Sequence, residues 1–263
     1  MVTLRELFGI ELPIIQAPMA SAQDSALAIA VTNAGGLGSV PCALLSPDGV
    51  RAELSTMRQH ARGPFSVNFF CNAPPKRDES RDAAWRAALA PYYREYEMEP
   101  GDPGPGRGGG PFSADAVDVL EEFRPAVVSF HFGLPPDNLL GRVKSLGAKV
   151  IASATTVDEA MWLEARGVDA IIAQGVEAGG HRGMFLTDDI TTQVGTLALV
   201  PQIASAVGVP VIAAGGIASG RGVAAAMALG AAGVQVGTAY LLCQEALTSP
   251  MYRAALSSTA ARH

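Results

Sequence analysis

The feature that most limits what this chain can fold into is a repeating pattern. A short apolar run rich in Val, Ile, Ala and Phe is followed by a glycine or polar turn and then by a stretch with helical spacing. The apolar runs are Pro13 to Met19, Leu37 to Val40, Phe65 to Phe70, Ala126 to Phe130, Lys149 to Ala154, Ala170 to Ala173, Val209 to Ala214 and Ala232 to Val236. Runs this short, bounded by turn residues, predict strands buried on both faces. Helices are expected from Asp24 or Ser25 to Ala34, from Pro47 to Ala61 behind Ser46, and over Ala114 to Phe123, Asp137 to Leu146, Val157 to Arg166, Gly195 to Val207 and Gly220 to Leu229. Strict alternation implies parallel strands with right-handed crossovers, and eight such units close into a (β/α)8 TIM barrel, an α/β fold. An open doubly wound sheet is the rival, although no GxGxxG follows the first run. The 263 residues match the ~250 of one barrel, so residues 1–263 read as a single domain.

One segment breaks the rhythm. Between Cys71 and Phe112, after the third strand, the pattern lapses into an insertion, with a helix expected over Asp82 to Glu97 and a break at Pro91. Its tail, Pro100 to Pro111, is almost all Gly and Pro and reads as a mobile loop. The formal charge of -6 and the lack of any Lys/Arg run argue against nucleic acid as a partner and favour a small ligand. Cys42, Cys71 and Cys243 are an odd number without CxxC spacing, which predicts core thiols in a reducing compartment and no metal site. The N-terminus shows no long apolar segment, so neither a secretory signal nor a membrane span is expected, and the cytoplasm is the expected location.

Barrels place their reactive groups in the loops after the C-terminal strand ends. The sixth run opens into AIIAQGVEAGGHRG, which brings Gln174, Glu177, Gly179, Gly180 and His181 to such a loop. His181 can take or give a proton near neutral pH; a solvated histidine on a surface turn is the competing reading. His131, in SFHFGLP, either faces the same cavity or packs beneath a loop. Ser153 and Thr155 line the pocket, or Thr155 or Thr156 caps the following helix. Glu177 partners His181 or Arg182, or is simply hydrated. His60 reads as solvated and His263 as an uninformative terminus.

The seventh and eighth runs end in Ala214, Gly215, Gly216, Ile217 and in Gln235, Val236, Gly237, Thr238, each ahead of an expected helix start. In barrels these two loops commonly bind phosphate through free N–H groups and a helix N-terminus, although glycine also marks ordinary turns. A cofactor held there would lie over Ala17, Pro18, Met19, Asn68 and Gln174. Asn68 sits inside an apolar run, and a buried amide needs a partner, either in the barrel or on a polar ligand.

The blocks PIIQAPMA, NAGGLGSV, SVNFF, VVSFHFGLP, QGVEAGGHRG, VPVIAAGGIASGRG and GVQVGTAYLLCQEA, in this order from Leu7 to about Ala246, resemble the nitronate monooxygenases, formerly called 2-nitropropane dioxygenases. The resemblance implies FMN as cofactor, with its phosphate on the backbone at Gly216 and at Gln235 to Thr238. Asn68, Gln174 and Gly179 look like the isoalloxazine and ribityl contacts, and His181 looks like the family's catalytic histidine. It further implies that a small nitronate is oxidised by O2 to a carbonyl compound and nitrite, a detoxifying reaction. Family members usually continue well beyond the eighth strand, so the stretch after Leu247 reads as a short C-terminus that leaves apolar barrel wall for a homodimer to cover. A flavin-dependent enoyl-acyl carrier protein reductase using NAD(P)H resembles the same turns and is the alternative enzyme. A flavin-binding protein without turnover is the alternative outside catalysis.

Overall fold

The computed structural model describes residues 2–74, 78–99, 101 and 110–262. Of the Gly/Pro tract, residues 100 and 102–109 lie outside the described residues, as does His263. In chain order the elements are α1 (Leu4–Phe8), β1 (Ile14–Gln16), α2 (Ser25–Asn33), β2 (Gly38–Pro41), α3 (Pro47–His60), β3 (Phe65–Phe70), α4 (Glu79–Glu95), α5 (Ala114–Phe123), β4 (Val127–His131), α6 (Asp137–Ser145), β5 (Lys149–Ala154), α7 (Val157–Ala165), β6 (Ala170–Gln174), α8 (Thr196–Ala206), β7 (Val211–Ala214), α9 (Gly220–Ala228), β8 (Gly233–Val236) and α10 (Pro250–Leu256). The eight strands pair in parallel in sequence order, with β8 returning to β1. Ring closure comes from two hydrogen bonds between β1 and the start of β2: Gln16 N donates to Leu37 O and Leu37 N to Ile14 O, both at 2.9 Å. The fold is therefore the TIM barrel, not the open sheet.

Side chains alternate across each strand, and the alternation sorts the core into two layers. Val67, Val128, Val150, Ile171, Ala213 and Val234 point outward and pack under the helices. Ile15, Leu37, Val127, Ile151, Ile172 and Ile212 point inward, and Leu4 and Phe8 from α1 join them. Local caps fix where the helices begin. Asp24, Ser46, Thr156 and Ser219 each accept a backbone N–H of the first turn of α2, α3, α7 and α9. Thr156, not Thr155, is the cap of α7.

Three expectations need correction. The insertion helix runs over Glu79–Glu95 rather than 82–97, because Asp78 caps it by accepting Arg81 N. Pro91 does not break it: the helix lies outside the barrel with no buried residue, so its backbone can meet water at the hydrogen bond that proline removes. After β8 the chain forms a 3-10 turn, Thr238–Leu242, instead of an α-helix. Strands β3 and β5 run over the expected residues, and elsewhere strand ends differ from expectation by at most three residues, most at β1, where the chain leaves the ladder after Gln16. Among the described residues no helix is long and apolar enough to cross a membrane.

Candidate active site

The C-terminal strand ends and their loops enclose a cavity of about 670 Å³, within the usual size of a small-molecule site. Ala17, Pro18 and Met19 border it after β1, Asn68 and Phe70 on β3, His131 on β4, Ser153 on β5 and Gln174 on β6. Gly179, Gly180 and His181 border it from the loop after β6, Gly215 and Gly216 from the loop after β7, and Gln235, Gly237 and Thr238 from β8 and beyond. The pleat brings these positions together: Asn68 and Phe70, or Ser129 and His131, are two apart and share the inward face. Val236 falls on the opposite parity. Its side chain packs with the outer layer, and it meets the site only through its carbonyl, which accepts Ala17 N at 2.7 Å.

The loop carrying His181 is held by side chains from three strands. Gln174 Nε2 donates to His181 O at 3.0 Å while its Oε1 accepts Gly183 N at 2.7 Å. His131 Nε2 lies 3.2 Å from His181 O, and His131 Nδ1 lies 3.0 Å from Ser153 Oγ. A carbonyl only accepts, so Nε2 of His131 carries the proton and the Ser153 hydroxyl donates to Nδ1. This tautomer is assigned from the bonding pattern. His131 thus borders the cavity and also braces the loop, combining the two roles foreseen for it. The His181 ring is exposed, makes no hydrogen bond among the described residues, and stands edge-on to Phe70 and Phe132 at centroid distances of 5.2 and 5.8 Å.

Burial pushes the His131 imidazole down to about 4 from the ordinary 6.5, with the charges of His181 and Arg182 adding to the effect and the bond to His181 O opposing it. The ring is neutral at neutral pH. Because the folded state resists the proton that the unfolded chain accepts below 6.5, stability is lost as pH falls from about 6.5 towards about 4. His131→Gln is expected to make the fall in melting temperature across that window shallower, as thermal scans at stepped pH would show. An unchanged slope would assign the acid limb to other groups.

Glu177 is exposed, and the protein partner its carboxylate takes is Thr196 rather than His181. Its Oε2 accepts Thr196 N and Thr196 Oγ1, each at 2.8 Å, at the start of α8. Partial burial raises its pKa, but the donors from its own backbone and Thr196, together with the Arg182 charge, outweigh this and hold it below its ordinary value. Gly175 makes the approach possible, since a Cβ there would collide with Thr196. Arg182 donates to Gly175 O, Val176 O and Ala178 O, which fixes the GVEA turn.

At the other end of the cavity, Gly216 adopts a φ of 68°, open to glycine at little cost. Backbone N–H groups of Gly216, Ile217, Gly237 and Thr238 donate to no protein acceptor among the described residues. Asn68 Nδ2 donates to Ser129 O and Oγ at 3.2 Å, and its Oδ1 has no protein partner among the described residues.

Three groups escaped the sequence reading. Gln16, buried at 0 % exposure, donates to Ala17 O and Gln23 Oε1 and accepts Ser39 N, while Gln23 Oε1 also accepts Met19 N; together they shape the Ala17 to Met19 turn. Glu159, also fully buried, accepts Thr155 N and Oγ1 through one oxygen and Phe185 N and Leu186 N through the other. Phe132 holds a φ of 66°, rare for a bulky residue. Gln16 ends β1 and Glu159 lies on α7, where the sequence shows each only as a polar residue, but QAPM with a second glutamine seven residues after Gln16 was a visible signal.

Comparison with known proteins bears on the family and the fold. The family model described as nitronate monooxygenase matches residues 2–261. A nitronate monooxygenase of Paraburkholderia phytofirmans is 44% identical over 98% of this chain and 71% of its own length. One from Pseudomonas aeruginosa is 45% identical over 95% of this chain and 72% of its own. Among solved structures, nitroalkane oxidase from Streptomyces ansochromogenes superposes with a TM-score of 0.89 at 39% identity, covering 98% of this chain and 73% of that one. A FabK variant from Thermotoga maritima reaches 0.75 at 34% identity, over 97% and 71%. With the family model spanning nearly the whole chain and identities above 40% to the curated relatives, the chain belongs to the nitronate monooxygenase family of oxidoreductases.

Proposed function

We propose that the protein oxidises alkyl nitronates with O2, using bound FMN, to a carbonyl compound and nitrite. The observation that carries this reading is the polarity of the cavity: unpartnered N–H groups at one end and a free imidazole at the other. The residues fit FMN. The N–H groups of Gly216, Ile217, Gly237 and Thr238 suit a phosphate dianion without any lysine. The open Oδ1 of Asn68 and the second N–H of Gln174 suit the polar edge of an isoalloxazine. When bound, the flavin supplies the electron acceptor and the place where oxygen is reduced.

The chain's own part is binding, orientation and proton control. His181 donates a charge-assisted hydrogen bond to a nitronate oxygen, or accepts the α-proton of a neutral nitroalkane. Gln174 and His131 hold the carbonyl of His181 and so set where its ring can reach. Phe70 and Phe132 stand edge-on to that ring and limit how it can turn. The test is to incubate the flavin-loaded protein in air with a nitronate and, separately, with NADPH. Nitrite and aldehyde formed in step with oxygen uptake, with no NADPH consumed, is the expected result. NADPH oxidation without nitrite release would favour the reductase, and a flavin protein inert to both would be a binder only.

A further inference from the structure

The seam between β1 and β2 closes the barrel, and it is built unlike the others. The two strands share a single bridge, at Ile15 and Leu37, whereas every other neighbouring pair shares a continuous parallel ladder. Continued by one step, the parallel pattern would bring Ser39 N to Gln16 O and the N–H of residue 18 to Ser39 O. Residue 18 is proline and has no N–H to give. Two side-chain amides take both places. Ser39 N donates to Gln16 Oε1 at 3.0 Å, and Ser39 O accepts Gln23 Nε2 at 2.9 Å. Gln23 Oε1 in turn accepts Gln16 Nε2 and, at 3.0 Å, Met19 N, while Gln16 Nε2 also donates to Ala17 O. Both glutamines are buried, so removing one partner strands the other.

The main chain of β1 is thereby released from the ladder, and Ala17 to Met19 turn onto the cavity. The same turn leans on the loop after β8. Ala17 N donates to Val236 O at 2.7 Å, and a Cβ built on Gly237 would stand 3.4 Å from Ala17 Cβ and 3.9 Å from Met19 Sγ. We infer that Gln16 and Gln23 are positioning residues for the flavin. By replacing backbone pairing at the seam with side-chain bonds, they fix Ala17, Pro18 and Met19 as the wall against which the cofactor seats beside Gly237. Neither glutamine borders the cavity, so both act through the turn they hold. The inference rests on the proposed function, which makes FMN the cofactor.

The test titrates FMN into the flavin-free full chain and records the visible circular dichroism of the saturated complex, which reports how the isoalloxazine sits. Gln23→Met keeps the length of the side chain and removes its amide. It is expected to weaken FMN binding at least about tenfold, the lower part of the cost of stranding one buried donor, and to change the dichroism at saturation. A pair that served only the fold would lower the melting temperature and leave both flavin readouts as in the wild type, and that result would overturn the inference. Gln23→Glu supplies the rescue. Its protonated carboxyl accepts through one oxygen and donates through the other, as the amide does, and burial favours that form. At about pH 5 this variant is expected to bind FMN within about threefold of the wild type at the same pH. At about pH 8 the ionised carboxylate has no donor for Ser39 O, and the variant should fall at least about tenfold behind. A ratio to the wild type that does not change with pH would overturn the inference, and this comparison decides the matter should Gln23→Met fail to fold. A wild-type chain that takes up no FMN would overturn the inference and the proposed function together, whereas FMN binding that both variants leave untouched removes the inference alone.

Discussion

Replacing His181 by Asn is expected to lower kcat/KM for nitronate oxidation by about 10²- to 10⁴-fold, the range of a positioned acid or base, with melting temperature and flavin content preserved. The separation of effects follows from how the residue is held. The ring makes no hydrogen bond among the described residues and is exposed, so removing it leaves no buried group stranded. The backbone carbonyl is what Gln174 and His131 grip, and asparagine keeps it. Asparagine also retains a donor but cannot carry charge or exchange a proton. A neutral nitroalkane should therefore suffer more than the preformed nitronate, because only the former needs a base. Steady-state rates on both substrate forms, with the flavin absorbance recorded beside them, make the comparison. Full turnover in His181→Asn would remove the histidine from the chemistry.

Glu159→Leu is expected to destabilise the fold by about 3–5 kcal/mol, the range seen when a buried charge and its partners are separated. Four donors converge on this carboxylate: Thr155 N and Oγ1 at 2.7 and 2.8 Å, and Phe185 N and Leu186 N at 2.6 and 3.2 Å. An apolar replacement of similar size strands the backbone donors inside the protein. The melting temperature should drop by about 10 °C for a chain of this length. Because two of those donors belong to the segment that follows His181, the loop should also become open to proteolysis at 185–186 in the mutant. Glu159→Gln keeps one acceptor oxygen and should lose roughly half as much. A Leu variant as stable as the wild type would mean that the carboxylate does not hold the loop.

The barrel was legible because it rests on periodicity. Eight apolar runs separated by capped helices admit few arrangements, and the capping residues Asp24, Ser46, Thr156 and Ser219 stand in the sequence where the helices begin. Which residues would share the cavity was also legible, since strand ends and their loops meet at one face of a barrel. What the sequence withheld was direction and pairing. Val236 and Gln235 are neighbours in the same glycine-flanked motif, yet the pleat sends Gln235 inward and Val236 outward. Parity with Val234, an obvious core residue, would have settled it. Glu177 reads as a loop carboxylate beside two candidate partners, and only the close pass of Gly175 over Thr196 reveals that it caps α8. Glu159 reads as a surface residue of an ordinary helix, because the four donors that make its burial possible come from 155 and from 185–186, one of them 27 residues away. Contacts at such separations leave no periodic trace.

The central claim is that one cavity holds a flavin by its phosphate and presents a nitronate to it beside His181. The most direct measurement is the visible spectrum of the purified, FMN-loaded protein without oxygen, recorded before and after adding 3-methylbutyl-1-nitronate. The account predicts a flavin spectrum that changes on mixing as electrons leave the nitronate, and that returns to its oxidised form when air is admitted, with nitrite released. A flavin spectrum that the nitronate leaves untouched, or a protein that takes up no flavin at all, would contradict it.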